Sequence, residues 1–119
     1  MKVADIVQTL EGKLLSGEQL LDTEISSACG ADLMSDVMAF VKEHVVLLTG
    51  LVNLQAIRTA EMMDIQVIVF VRGKTPTKDM IEEATSNGMA IITTKYSMFL
   101  ACGRLYEAGI RTGGMRESC

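Results

Sequence analysis

Residues 45–76 read VVLLTGLVNLQAIRTAEMMDIQVIVFVRGKTP, and this stretch decides the fold. It begins with a short apolar run, turns at Thr49 and Gly50, and continues with apolar positions at helical spacing. A second apolar run at 67–71 follows, and a polar turn ends at Pro76. Two strands that are joined by a helix-length crossover must run parallel, so this stretch predicts one βαβ unit.

The rest of the chain predicts further helices and strands in alternation. The pattern gives helices at 3–10 and 32–44, a helix capped by Asn53, and a helix from Ser97 to Gly109. A further helix begins around Thr75, with Pro76 in its first turn and either Thr75 or Thr77 as its cap. Strands are expected at 13–15, 24–28 and 90–92, with Gly30 as a turn. Such alternation indicates an α/β domain with a mostly parallel sheet, helices packed on its faces and right-handed βαβ crossovers. A single domain is expected over 1–109, with its core at 13–109 and a flexible tail at 110–119.

Composition narrows the classes of function. The net charge of −4 argues against broad nucleic-acid binding, which needs a basic surface to neutralise phosphates. No apolar run approaches the roughly 18 residues that span a bilayer, and the N-terminus lacks the basic-then-apolar layout of a signal peptide, so no membrane contact and a cytoplasmic location are expected. Three scattered cysteines without CxxC spacing indicate reduced thiols.

No pattern in the chain predicts catalysis. The phosphate-binding motifs GxxxxGK[ST] and GxGxxG are both absent from the sequence. His44 is the only histidine. The sequence contains no second histidine that could activate Cys29 or Cys102 as a nucleophile. One histidine with separated cysteines makes no zinc site, so no metal and no cofactor are expected.

Polar residues follow each of three predicted parallel strands. In parallel sheets, ligands bind outside the carboxyl ends of the strands, where cations, hydroxyls and helix N-termini suit a phosphate or a carboxylate. The alternative is that these residues are solvated turns with capping hydroxyls. The candidate ligand-binding residues are Thr49, Gly50 and Asn53 after the first strand, Arg72, Gly73 and Lys74 after the second, and Thr93, Thr94, Lys95 and Ser97 after the third.

Five segments, in order, resemble the DRTGG domain family: SDVMAF at 35–40, VVLLTG at 45–50, IRTAEMMDI at 57–65, VFVRGKTP at 69–76 and AIITTKYSMFLACGRLYEAG at 90–109. Such domains are similar to the N-terminal domain of HPr kinase, and they occur in regulated pyrophosphatases with CBS domains and in long phosphotransacetylases. There they accompany a catalytic domain without being the catalyst, and they commonly help to form dimers. The resemblance therefore implies a non-catalytic regulatory domain.

The residues that name the family are mostly replaced here. Its Asp-Arg pair aligns with Leu51 and Val52, and its Thr-Gly-Gly with residues 71–73, so that only Gly73 is kept. The run IRTGG at 110–114 is interpreted as a coincidence, because it lies in the predicted tail. The apolar replacement of the charged pair makes Leu51 and Val52 a candidate interaction surface.

Two functions follow as predictions. The first is a homodimeric regulatory domain that binds a small anionic ligand, such as a nucleotide or another phosphorylated small molecule, at the strand ends. The alternative is an adaptor that docks a protein partner, part of a redox or signalling assembly, through an apolar surface that includes Leu51 and Val52. An enzyme is not expected, because the catalytic domain and the P-loop of HPr kinase are absent.

Overall fold

The computed structural model describes residues 1–39 and 43–112. These residues form five strands and five α-helices in the alternation that the sequence predicts. Their bounds in chain order are α1 Val3–Thr9, β1 Lys13–Ser16, β2 Ser27–Gly30, α2 Met34–Met38, β3 Val45–Thr49, α3 Leu54–Met62, β4 Val67–Phe70, α4 Lys78–Ser86, β5 Ala90–Thr93 and α5 Met98–Ala108.

The five strands form one sheet in the order β1-β5-β4-β3-β2. Strands β2, β3, β4 and β5 pair with one another in parallel, and among these five described strands β1 alone pairs antiparallel, with β5. The predicted βαβ unit is β3-α3-β4, in which Thr49 pairs with Phe70 at the carboxyl ends of the two strands. The α/β class and the mostly parallel sheet are thereby confirmed.

The helices divide between the two faces of the sheet. Residues of α2, α3 and α4 pack in one apolar layer, and residues of α1 and α5 pack in the other. The strand order explains the first layer, because β2, β3, β4 and β5 follow one another in a single direction. Crossovers of one hand that all step in the same direction place their helices on the same face.

Burial on both faces accounts for the apolar runs that the sequence shows. Every residue of β3 and β4 is buried, and neighbouring residues point into opposite layers, as Leu47 and Leu48 do. A fully buried side chain of this size stabilises the folded state by about 1.5–3 kcal/mol. The continuous apolar runs are therefore the signature of strands that helices cover on both sides.

Three local predictions differ from the structure. The strand expected at 24–28 lies at Ser27–Gly30, because its backbone pairs in register with β3; Gly30 is its last residue rather than a turn. The helix expected at 32–44 is observed as Met34–Met38, which leaves Asp32 in the preceding loop, while residues 40–42 lie outside the described residues. Pro76 precedes the helix instead of entering its first turn, because Thr77, one of the two predicted caps, is the N-cap.

The chain stays packed on the domain for at least three residues after Gly109. Ile110 is buried in the layer of α1 and α5. The Thr112 hydroxyl donates to the Ser26 carbonyl oxygen at 2.7 Å, and its backbone pairs with Ser27 at the edge of β2. The first residues of the predicted tail, 110–112, therefore contact the domain. Residues 113–119 lie outside the described residues.

Within residues 1–39 and 43–112, no helix is long and apolar enough to cross a membrane. The cytoplasmic location stays a prediction.

Candidate functional site

Side chains from two neighbouring loops bond to the backbone of Gly50 at the carboxyl end of β3. The Gly50 N–H donates to Asp32 Oδ1 at 2.7 Å, and Asp32 lies in the loop after β2. Lys74 Nζ, from the loop after β4, donates to the Gly50 carbonyl oxygen at 2.9 Å. A backbone N–H and an ammonium group, both of which bind anions, therefore meet at this residue.

Arg72 lies directly against the same glycine. A Cβ atom built on Gly50 would be 1.9 Å from Arg72 Nη2, so the guanidinium occupies the space that any other residue would fill. Arg72 Nη2 is 3.7 Å from Asp32 Oδ2, and both side chains are about half exposed. Asp32, Gly50, Arg72 and Lys74 are called the Gly50 cluster below.

An unusual backbone turn directs Arg72 towards Gly50. Arg72 and Gly73 both adopt left-handed conformations, with φ of 66° and 69°. This conformation costs a non-glycine residue about 1 kcal/mol. Hydrogen bonds from the Arg72 N–H to the Tyr96 carbonyl (2.8 Å) and from the Gly73 N–H to the Thr94 carbonyl (2.9 Å) offset that cost.

The same two hydrogen bonds close the crevice in which α/β proteins commonly bind ligands. Such crevices form between neighbouring strands whose following helices pack on opposite faces of the sheet. Here they would lie between β4 and β5, because α4 belongs to one layer and α5 to the other. The turn at Arg72 and Gly73 bonds to the loop after β5 at this place, and the Gly50 cluster lies beside it, between the loops after β3 and β4.

The predicted threonine hydroxyls make internal hydrogen bonds. Thr94 is 3% exposed, and its Oγ1 donates to the Leu10 carbonyl oxygen at 2.7 Å. Thr49 is fully buried, and its Oγ1 accepts the Leu51 N–H at 3.0 Å. These two hydroxyls therefore hold the loops together from inside rather than facing the solvent.

The remaining predicted residues have separate places. Asn53 caps α3 by accepting the Ala56 N–H at 3.0 Å, and Ser97 caps α5 by accepting the Leu100 N–H at 3.2 Å. Thr93 is the last residue of β5, and Lys95 is exposed in the following loop. Of the ten predicted residues, the structure brings three together at one place, namely Gly50, Arg72 and Lys74.

A second polar group lies on the other side of the closed crevice. The Tyr96 hydroxyl donates to the Glu11 carboxylate, and the Arg104 guanidinium lies 4.7 Å from the centre of the Tyr96 ring. The hydrogen bond to Glu11 is the main reason why the pKa of Tyr96 is raised above its usual value. Tyr96 therefore stays a neutral hydrogen-bond donor that ties the loop after β5 to the loop after α1.

The candidate interaction residues Leu51 and Val52 are only partly exposed, and both pack against the layer of α2, α3 and α4. Larger exposed apolar side chains lie on α5, where Phe99 is 83% exposed and Tyr106 57% exposed. A surface hollow of about 510 Å³ lies along α5 beside Thr9, the last residue of α1, and Phe99 lines it. The most exposed apolar surface among the described residues is thus on α5.

The two described cysteines are suited to packing rather than to chemistry. Burial raises the pKa of both the Cys29 thiol and the Cys102 thiol above its ordinary value, and for Cys29 the neighbouring Cys102 adds to the effect. A raised pKa keeps the thiol protonated and unreactive at neutral pH. In the described parts of the chain, no three His, Cys, Asp or Glu side chains are grouped as metal ligands would be.

The fold and the sequence both match a known family. The model of the DRTGG domain family matches residues 5–108, which is most of the 119-residue chain. The chain belongs to the DRTGG domain family. The IRTGG run at 110–114 lies outside the matched residues, so it is not the motif that names the family.

Among solved structures, this DRTGG domain is similar to the CBS and DRTGG domains of the regulatory region of Clostridium perfringens pyrophosphatase. The TM-score is 0.75 at 18% identity, over 95% of this chain and 51% of that chain. The domain thus spans about half the length of this relative, whose structure is a complex with the activator diadenosine tetraphosphate. A search of curated proteins found no match.

Sequence reasoning missed Asp32, because it assigned this residue to the first turn of a helix. A signal was nevertheless present, since Asp32 comes two residues after the end of β2 and β2 lies beside β3. The rule that selected Arg72 and Lys74, polar residues at the carboxyl ends of parallel strands, also selects Asp32 once β2 is placed in the sheet.

Proposed function

We propose that this DRTGG domain is a non-catalytic regulatory domain that binds a small anionic ligand, such as the phosphate groups of a nucleotide, at the Gly50 cluster. The observation that carries the proposal is the convergence of Arg72 and Lys74 on Gly50 at the carboxyl ends of β3 and β4. The nucleotide activator of the structurally similar regulatory region supports the choice of ligand class.

The chemistry of the three groups suits a phosphate. The Arg72 guanidinium offers parallel N–H groups that match two phosphate oxygens, and Lys74 adds a compact positive charge. The Gly50 N–H adds a backbone donor that no substitution at this position would remove, except by proline. The other predicted residues support the site indirectly, because Asn53 and Thr49 hold the β3 loop and Thr94 holds the β5 loop.

A thermal-shift and calorimetric titration with diadenosine tetraphosphate, ATP and inorganic pyrophosphate tests the proposal. A ligand that binds only the folded protein raises its melting temperature. We expect at least one of these compounds to do so, and we expect Arg72→Ala to weaken its affinity by about tenfold.

The matched control for this test is Arg58→Ala. Arg58 is an exposed arginine on α3 that pairs with Glu83, away from the Gly50 cluster. It should bind the ligand as the unaltered protein does. No stabilisation by any of the three compounds, or equal weakening in the Arg58 and Arg72 variants, would refute the proposal.

We also propose that the domain acts as a homodimer through α5. Phe99, Leu100 and Tyr106 are exposed on this helix, and the space above Gly103, which lies among them, is open. An isologous dimer needs one patch that complements itself, and a protruding Phe99 beside an open glycine has that character.

Sedimentation equilibrium tests this arrangement. Phe99→Ser should shift the protein towards the monomer, whereas Met62→Ser, which alters another exposed apolar side chain, on α3, should not. A monomeric unaltered protein would exclude the dimer. The alternative of an adaptor that uses Leu51 and Val52 has less support, because both side chains are partly covered by the domain's own core.

A further inference from the structure

The carboxylate of Asp32 contacts the donors that an anionic ligand would use. Its Oδ1 accepts the Gly50 N–H at 2.7 Å, and its Oδ2 is 3.7 Å from Arg72 Nη2. These are the backbone donor and the cation that define the anion site of the Gly50 cluster. The protein thus holds one of its own carboxylates where an external anion would bind.

A backbone hydrogen bond holds the residue before Asp32 beside β3. Ala31, the residue before Asp32, donates its N–H to the Leu48 carbonyl oxygen at 3.0 Å. That bond continues the pairing of β2 with β3, so Asp32 begins from a position directly beside the end of β3. A tethered group of this kind has an effective concentration on the order of millimolar or higher, and weakly binding anions must exceed it to compete.

The Asp32–Arg72 pair is suited to being displaced. The Asp32 side chain is 54% exposed and that of Arg72 49% exposed, and exposed ion pairs contribute little to stability. Exchanging Asp32 for a ligand therefore costs the fold little. The Asp32 carboxylate and the ligand therefore compete for the same two groups, the Gly50 N–H and the Arg72 guanidinium.

Charge decides which anions win that competition. A monoanion carries the same single charge as the Asp32 carboxylate. Because Asp32 is part of the chain, it contacts Arg72 without the loss of translational freedom that a free anion undergoes on binding. A phosphate group near neutral pH carries a charge of about −1.5 to −2 and three acceptor oxygens, so it can bond Arg72, Lys74 and the Gly50 N–H together.

We propose that Asp32 is a built-in competitor that makes the Gly50 cluster select phosphate or diphosphate groups over monoanions. This inference rests on the proposed function. In this role Asp32 determines which anions bind. A carboxylate that only held the loop in place would not affect the choice of anion.

The test is an NMR titration of the full chain that follows the Gly50 amide, with inorganic pyrophosphate and with acetate as probes. In the unaltered protein, pyrophosphate should shift this resonance and acetate should not. In Asp32→Ala, pyrophosphate should bind about fivefold more tightly, in line with the loss of one exposed ion pair, and acetate should now shift the amide.

Two further variants make the outcome decisive. Asp36→Asn changes the net charge by one unit on α2 without touching Gly50, so it controls for overall charge and should behave as the unaltered protein does. Asp32→Asn keeps an oxygen for the Gly50 N–H but removes the charge; it should also bind pyrophosphate more tightly, and it carries the test if Asp32→Ala fails to fold.

The results separate the two proposals. Pyrophosphate binding that is equal or weaker in the Asp32 variants would overturn the competitor role while leaving the anion site standing. Tighter binding in Asp36→Asn, to the same extent as in Asp32→Ala, would also overturn it, because overall charge would then explain the gain. If pyrophosphate shifts Gly50 in none of the proteins, the proposed function and this inference both fail.

Discussion

The strand pairs β3–β4 and β4–β5 end at the same edge of the sheet, but different bonds join their loops. Side chains join the loops after β3 and β4, since Lys74 bonds to the Gly50 carbonyl and Arg72 lies against Gly50. Backbone bonds join the loops after β4 and β5, from the N–H groups of Arg72 and Gly73 to the carbonyls of Tyr96 and Thr94. Charged side chains can move away from a glycine, whereas a bonded turn cannot open without breaking its hydrogen bonds.

The difference shows that the crevice expected from topology is not the place where the side chains of Arg72 and Lys74 converge. Topology points to the β4–β5 pair, where the following helices diverge to opposite faces. In this domain the main chain fills that place, and Arg72 and Lys74 lie against Gly50, one strand pair away. We expect the two strand pairs to differ in the same way in solution, and four substitutions test this.

The largest effect is expected from Thr94→Val, on the β4–β5 side. The substitution leaves the Leu10 carbonyl without its hydroxyl donor and the Tyr96 N–H without its acceptor. Loss of such buried partners should lower the free energy of unfolding by about 2 kcal/mol in urea denaturation. Thr75→Val, at an exposed threonine, should change it by less than about 0.5 kcal/mol. If both variants are equally stable, the hydrogen bonds of Thr94 do not stabilise the β4–β5 side.

The turn at Arg72 should give the next largest effect. Arg72→Gly and Arg72→Ala both remove the guanidinium, but only glycine adopts a φ of 66° without strain. The glycine variant should therefore be more stable than the alanine variant by about 1 kcal/mol, measured by urea denaturation. Equal stabilities would show that the turn relaxes in solution, and the distinction between the two strand pairs would weaken.

Gly50→Ala should affect binding more than folding. The new methyl group would meet Arg72 Nη2, which is the end of a flexible side chain and can move aside. We expect the affinity for pyrophosphate to fall about threefold in calorimetry, with a change of melting temperature close to zero. A large loss of stability would mean that Arg72 is held in place as firmly as the backbone turn.

Lys95→Ala is expected to have the smallest effect. Lys95 is exposed in the loop after β5, on the far side of the closed crevice from Gly50. Its removal should lower the affinity for pyrophosphate by less than about twofold at physiological ionic strength, where distant exposed charges are screened. A loss as large as that in Arg72→Ala would place the ligand across both strand pairs.

Much of the fold could be predicted from local pattern. The continuous apolar runs at β3 and β4 identify strands covered on both faces, and Asn53 and Ser97 mark helix starts that the structure confirms. The strand order could not be predicted, because the pairing of β1 with β5 depends on contacts between distant parts of the chain. The start of β2 was misplaced for the same reason, since pairing with β3 sets its register.

The candidate site was only partly predictable. The rule of strand ends selects Arg72, Lys74 and Gly50, which do meet, but it selects Thr94 equally, whose hydroxyl points inward to Leu10. Sequence does not say which way a threonine at a strand end will turn. Asp32 was missed because its role requires β2 to lie beside β3, which is again a matter of strand order.

The antiparallel pairing of β1 with β5 also has a consequence for how the chain folds as it is made. The Ser16 hydroxyl bonds to the Met89 carbonyl oxygen, a contact that spans 73 residues. Strand β1 therefore has no partner until β5 is synthesised, after β2, β3 and β4. Non-local pairings of this kind form slowly, so the first of the five strands to be synthesised is the last that the sheet can accept.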